Sequence, residues 1–358
     1  MKKTIIFALM CSSLLLACSS SSESANTDNS NNGGNSNIPP SNNSWLIPVN
    51  EVKDGGPGKD GIPSIDNPVF INANEASFIR GDELIVGIIL DGQAKAYPHK
   101  ILDWHEIVND NSVTINYCPL TGSALGWKSY SNKEKTTFGV SGLLYNSNLI
   151  LYDRNTDSNW SQMRLQCVNG ALIGDTPEIT RIIETNWLTW QALYPNTKIL
   201  SLDTGFSRDY NRYPYGDYKI NHQRFIFTAS PSNSSLPSKE RVFAIIEEEK
   251  SKAYQFSKFK NGKAFKDLFN GKEHLVVGNE HLITAFKLDG THANLEFEYD
   301  FNDSKTFFKD NENNTWNVFG EAISGPRTGE VLDNSKAMVS FWFALAAFYP
   351  NPEIYNEP

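Results

Sequence analysis

The stretch "DELIVGIILDGQAKAYP", residues 82–98, and the stretch "KERVFAIIEEEKSKAYQ", residues 239–255, carry one pattern 157 residues apart. Each opens on an apolar run, turns at charged or Gly-containing residues and returns through Lys-Ala-Tyr, so that Lys95 matches Lys252 and Tyr97 matches Tyr254. A run, a turn and a second run read as a β-hairpin. Three further matches follow in the same order. "DSNWSQ" aligns with "NNTWNV" on Trp160 and Trp316, "GALIG" (170–174) with "EAISG" (321–325), and "TNWLTWQALYP" (185–195) with "SFWFALAAFYP" (340–350). Ordered matches at a nearly constant offset predict an internal duplication, with a first half over 45–229 and a second, degenerate half over 230–358.

Each half closes on a short helix. Trp187, Trp190 and Tyr194 recur at helical spacing, Thr185 and Ser340 stand where an N-cap belongs, and Pro195 or Pro350 stops the turn. That aromatic face reads as core. "SVTINY", "GLLYNSNLILYDR" and "LEFEYDF" are β-like, whereas Ile101, Trp104 and Val108 in "HKILDWHEIVND" have helical spacing. The expected fold is α+β, mostly β, in two tandem related halves with short helices.

The N-terminus "MKKTIIFALMCSSLLLAC" joins two lysines to an apolar run too short to span a bilayer comfortably and ends on Ala17-Cys18. It reads as a lipoprotein signal over 1–17, with Cys18 as the lipidation site and membrane anchor. Residues 18–44 contain almost no apolar side chain and read as a disordered Ser/Asn tether. The expected location is therefore the bacterial cell envelope. A net charge of −9 argues against nucleic acid as a partner, which leaves a small ligand or another envelope protein.

Residues present in only one half are the candidates for chemistry. In "SVTINYC" alternation puts Val113, Ile115 and Tyr117 on one face and Thr114, Asn116 and Cys118 on the other. Cys118 ends that strand before Pro119, and the matching part of the second half has no cysteine. His105 stands about a dozen residues upstream. Asn109 replaces the second histidine that a His-Glu-x-x-His zinc site requires. Cys118 and His105 therefore read as a thiolate–imidazole catalytic pair or as two ligands of a soft metal, Cu or Zn. Asp110, Ser141, Tyr145, Asp153 and Arg154 are the candidate ligand-binding residues. The adjacent Asp153-Arg154 also suits a turn clamp, and a disulfide between Cys118 and Cys167 is the structural alternative. "GFSRDYNRYPYGDY" (205–218) suits the rim of a ligand cleft or the closing of the first half.

"GGPGKDGIPSIDNPVF", "AYPHKILDWHEIVND", "YCPLTGSALGW", "FGVSGLLYNSNLILYDRNTDSNWSQM", "TGFSRDYNRYPYGDY" and "FWFALAAFYP" together resemble the bacterial family catalogued as domain of unknown function 3179, from about Trp45 to Tyr355. The resemblance implies signature positions at His105, Glu106, Asn109, Asp110, Cys118, Pro119, Gly122, Ser141, Gly142, Tyr145, Asp153 and Arg154, and no particular activity. Some relatives carry Cys-Pro-Leu-Cys, where this chain has Thr121. Three readings remain: a lipoprotein binding a small ligand or metal around Cys118 and His105, which is favoured; a structural or partner-binding envelope module; and a thiol enzyme with Cys118 as nucleophile.

Overall fold

Leu84–Leu90 and Gln93–Pro98 pair as an antiparallel hairpin, closed by Asp91 and Gly92, both at positive φ. Two such residues give the turn a twist that matches that of the strands. Ile183–Asn186 adds antiparallel to one edge of this hairpin and Lys198–Leu200 adds parallel to the other. The same arrangement recurs around Arg241–Glu247 and Lys250–Gln255, flanked by Ala337–Phe341 and, in parallel, by Glu353–Ile354. These details come from a computed structural model that describes residues 44–131, 134–302 and 305–356. The signal, Cys18 and nearly all of the tether lie outside the described residues.

Two further sheets repeat in the same way. Ile107–Asp110, Val113–Cys118, Ser123–Lys128 and Ile179–Thr180 form one sheet, matched by Lys263–Phe269, Lys272–Asn279, Leu282–Lys287 and Asp333–Asn334. Phe138–Tyr145, Asn148–Asp153, Asn159–Ser161 and Gln166–Asn169 form another, with Lys53–Asp54 added at its edge; its other four strands are matched by Phe297–Tyr299, Phe308–Asp310, Thr315–Trp316 and Ala322–Ser324. Among the described residues the architecture is mostly strand, with three short α-helices.

Shared side chains hold the shared frame. The Lys95 ammonium (2.6 Å) and the Tyr97 hydroxyl (2.7 Å) both donate to Asp110, as Lys252 and Tyr254 do to Asp267 at 2.7 Å each. Indole N–H groups likewise donate from Trp160 to Asp153 (3.1 Å) and from Trp316 to Asp310 (2.8 Å). A buried carboxylate needs such donors to offset its lost hydration.

The described residues fall in one compact unit, and its cores cross between halves. Helix α2 (Trp187–Leu193), from the first half, buries Trp187 and Trp190 among Leu275, Phe308, Trp316 and Phe319 of the second. Helix α3 (Trp342–Phe348), from the second, is buried at every residue and packs with Trp127, Phe138, Leu151 and Trp160 of the first. Truncating a buried Trp of this kind costs about 3–5 kcal/mol, so each half depends on the other's helix.

Two local expectations are corrected. Helix α1 covers only His99–His105, and Val108 lies on the strand Ile107–Asp110, where β-branched neighbours pair with Val113–Asn116. Asn186, rather than Thr185, caps α2 by accepting from the Thr189 N–H at 2.8 Å, and the turn preceding α3 carries no side-chain cap.

Candidate functional site

The strand Val113–Cys118 turns through Pro119–Gly122 into Ser123–Lys128. Gly122 has φ +59, and a Cβ there would sit 3.0 Å from the Phe341 ring, so the turn admits glycine alone without strain. Its carbonyls are held from outside. Thr121 O accepts from the Phe341 N–H (2.7 Å), Leu120 O from the Tyr218 hydroxyl (3.0 Å) and Pro119 O from that of Tyr213 (3.3 Å). Beneath it, Gln162 accepts from Ser123 and from Asn148, both at 2.7 Å, and donates to Asn116 Oδ1 at 2.9 Å.

Cys118 is 1% exposed, its thiol 3.6 Å from the Ser147 carbonyl. Burial, with nearby Glu106 adding, pushes the thiol up to about 11, the opposite of what a nucleophile needs. Cys167 is a second free, buried thiol, pushed by burial up to about 12, so the two are not bridged. His105 does not partner Cys118. Its Nδ1–H donates to Pro63 O (2.8 Å) and its Nε2 accepts from the Tyr210 hydroxyl (2.7 Å), which stands 2.6 Å from that of Thr204. Burial lowers its basicity, consistent with a neutral ring whose two nitrogens are both engaged. Among the described residues no three His, Cys, Asp or Glu side chains converge as a metal donor set.

The five residues expected to bind ligand are dispersed over walls and turns. Asp110 and Asp153 hold the shared frame described above and have counterparts in the second half, unlike the one-sided pattern expected of them. Asp153 also accepts from the Thr156 N–H (2.8 Å). Arg154 clamps an N-terminal loop, donating to Ser64 (2.8 Å) and Asp66 (3.0 Å). Ser141 sits in a β-bulge, donating to Ile150 O at 2.5 Å and accepting from the Leu143 N–H at 3.0 Å. Tyr145 is half-buried, edge-on to Phe348 at 5.6 Å.

The structure instead draws together Glu106, Tyr215 and an apolar cavity. Glu106 ends α1 at φ 58 and ψ −31, a backbone conformation costing roughly 1–3 kcal/mol in a non-glycine residue. It is held there because its N–H donates to Leu102 O (2.8 Å) and its O accepts from the Tyr117 N–H (2.7 Å). Its side chain is almost fully buried, and burial pushes the carboxyl up to about 8; a bond from the Tyr215 hydroxyl (3.4 Å) opposes the shift and nearby Asp103 adds to it. Asp103 is itself pushed up to about 7 by burial, against Lys219 at 3.9 Å. Glu106 and Tyr215 face a cavity of about 350 Å³, walled by Leu120, Val140, Leu144, Leu149 and Phe227.

The second half has a hollow of its own at the matching place, of about 330 Å³, lined by Gly262, Asn279, His281 and Tyr299. Alignment on Asp110 and Asp267 puts Asn279 at the register position of Cys118, and alignment on Asp153 and Asp310 puts Tyr299 at that of Val140. The Tyr299 ring lies against Gly262, leaving no room for a Cβ there, and its hydroxyl accepts from Asn279 at 2.9 Å. Glu106 was legible as a signature position, and the tyrosine-rich segment 205–218 as a cleft rim. Their meeting over Cys118 was not, since the segment is separated from that strand by about ninety residues of chain.

Fold and site together define a mostly-β protein with an apolar cavity headed by a buried acid. The chain belongs to the family described as Protein of unknown function (DUF3179), whose model matches residues 59–352. No curated protein and no solved structure was found to match it.

Proposed function

We propose that this chain is a cell-envelope lipoprotein, held to a membrane through acylated Cys18, whose body binds one small apolar molecule in the cavity headed by Glu106. The observation that carries the reading is a strained, buried acid, Glu106, at the head of an apolar cavity of about 350 Å³. We further propose that the halves arose by duplication and that the site headed by a buried acid belongs to the first. A volume near 350 Å³ is in the range of small-molecule pockets. Branched aliphatic walls favour an apolar body. A carboxyl that stays protonated below about pH 8 offers an O–H donor, so the polar end of the ligand is an acceptor such as a carbonyl. In this reading Cys118 packs as a small hydrophobe beside Glu106.

The test fills the cavity by placing a large side chain on its wall at Val140. N-phenyl-1-naphthylamine, a neutral dye that brightens in apolar sites, is expected to bind saturably to the full chain, and Val140→Tyr is expected to abolish that binding while leaving the far-UV spectrum unchanged. Binding that persists in Val140→Tyr, or no saturable signal in the parent, sinks the proposal. The second outcome favours the structural-module reading, which the loop-holding roles of Asp110, Asp153 and Arg154 support.

A further inference from the structure

Another cavity, of about 290 Å³, lies between the halves and is lined by corresponding segments of each. Residues 179–184 of the first half meet 334–339 of the second, and the pairing registers place Arg181 and Lys336 at equivalent positions, each in the link between an edge strand and the strand that joins the hairpin sheet. Two cations are thus brought to one cavity by the same position of two repeats.

Neither has an ion-pair partner within 4.0 Å among the described residues. Arg181 reaches across to the second half, donating one bond to Leu332 O at 3.3 Å with its guanidinium 5.5 Å from the Phe286 ring centroid. A guanidinium has five N–H donors, so most of this fork is unspent. Burial pulls Arg181 down to about 10, with Glu321 and Asp333 opposing from a distance, and at neutral pH it stays charged. The Thr180 hydroxyl is buried without a partner. The other charged groups of the lining are engaged: Glu184 with Arg241, and Lys287 with Glu247 at 3.6 Å.

We propose that this cavity binds a small oxyanion, a phosphate or carboxylate group, between Arg181 and Lys336. The planar fork of Arg181 suits two oxygens of such a group, Lys336 supplies a second charge, and Thr180 supplies a hydroxyl donor. The site is independent of the Glu106 cavity.

The experiment is titration calorimetry of the full chain with inorganic phosphate and with citrate at constant ionic strength. Thermal unfolding is followed in parallel, with sodium chloride as control. Saturable binding of at least one of the two anions is expected, weakened about tenfold or more in Arg181→Gln and Lys336→Gln, as loss of a charge-assisted hydrogen bond implies. Without anion, Arg181→Gln is expected to keep or raise the melting temperature, because an uncompensated charge is removed; a purely structural arginine lowers it. Should Arg181→Gln fail to fold, Lys336→Gln decides the matter, Lys336 being an exposed residue. No saturable binding of either anion, or binding undiminished in the variants that fold, overturns the proposal.

Discussion

At the residue scale the informative group is Glu106. Its folded-state carboxyl is pushed by burial to about 8 from an ordinary value of 4.5, so the folded protein binds more protons than the unfolded chain between those values. The contribution of Glu106 to stability is therefore fully present below about pH 4.5 and is lost as pH rises through about 8. Glu106→Gln, which keeps a neutral hydrogen-bonding group, removes that loss. Its melting temperature is expected to gain on that of the parent as pH rises across this window, and a constant difference between the two proteins contradicts the assignment. Asp103, pushed in the same direction, stays in both proteins and so cancels to first order in the comparison. Cys118 shows what sequence conveys at this scale. Alternation in "SVTINYC" placed it correctly opposite Val113, Ile115 and Tyr117, which pack in a different cluster from Cys118. That its face is buried under the 205–218 segment and α3 is a property of distant chain.

At the element scale the turn after Cys118 and the strands beneath it are joined through Gln162. This one amide bonds Asn116, Ser123 and Asn148, and so ties three strands of two sheets. Replacing it with an apolar residue of similar size strands those partners in a dry interior. Gln162→Leu is expected to destabilise the protein by about 3 kcal/mol, from desolvated groups left unpaired, as measured by urea unfolding; a loss within experimental error of zero refutes the role given to the network. Element boundaries were the less legible part of the sequence. Ile101, Trp104 and Val108 imitate a helical stripe, yet the helix stops at His105 because Glu106 leaves the helical region and Ile107–Asp110 finds a strand partner. Local spacing carries no information about which partner a segment meets.

At the scale of the whole molecule the two halves interlock, α2 and α3 each joining strands of its own half to a core that includes residues of the other. Fragments 45–229 and 230–358 made separately are expected to lack a cooperative thermal transition, because each exposes the aromatic pocket that its partner's helix fills. A cooperative transition in 45–229 alone, followed by near-ultraviolet circular dichroism, rules out this interdependence. The same interlock creates the cavity between the halves, to which Arg181 and Lys336 come from positions 155 residues apart.

The sequence by itself determined the strand-rich class, the hairpins and their order, the recurring Lys-x-Tyr and Trp anchors, and the place of Cys118 at a strand end. These depend on alternation, turn chemistry and repetition, all carried by neighbouring residues. Only the tertiary structure decided that His105 and Cys118 are not partners, that Glu106 and Tyr215 head an apolar cavity, and that each helix packs into a core shared with the other half. Burial, and the proton affinities that follow from it, depend on residues far apart in the chain, and no local pattern encodes their approach.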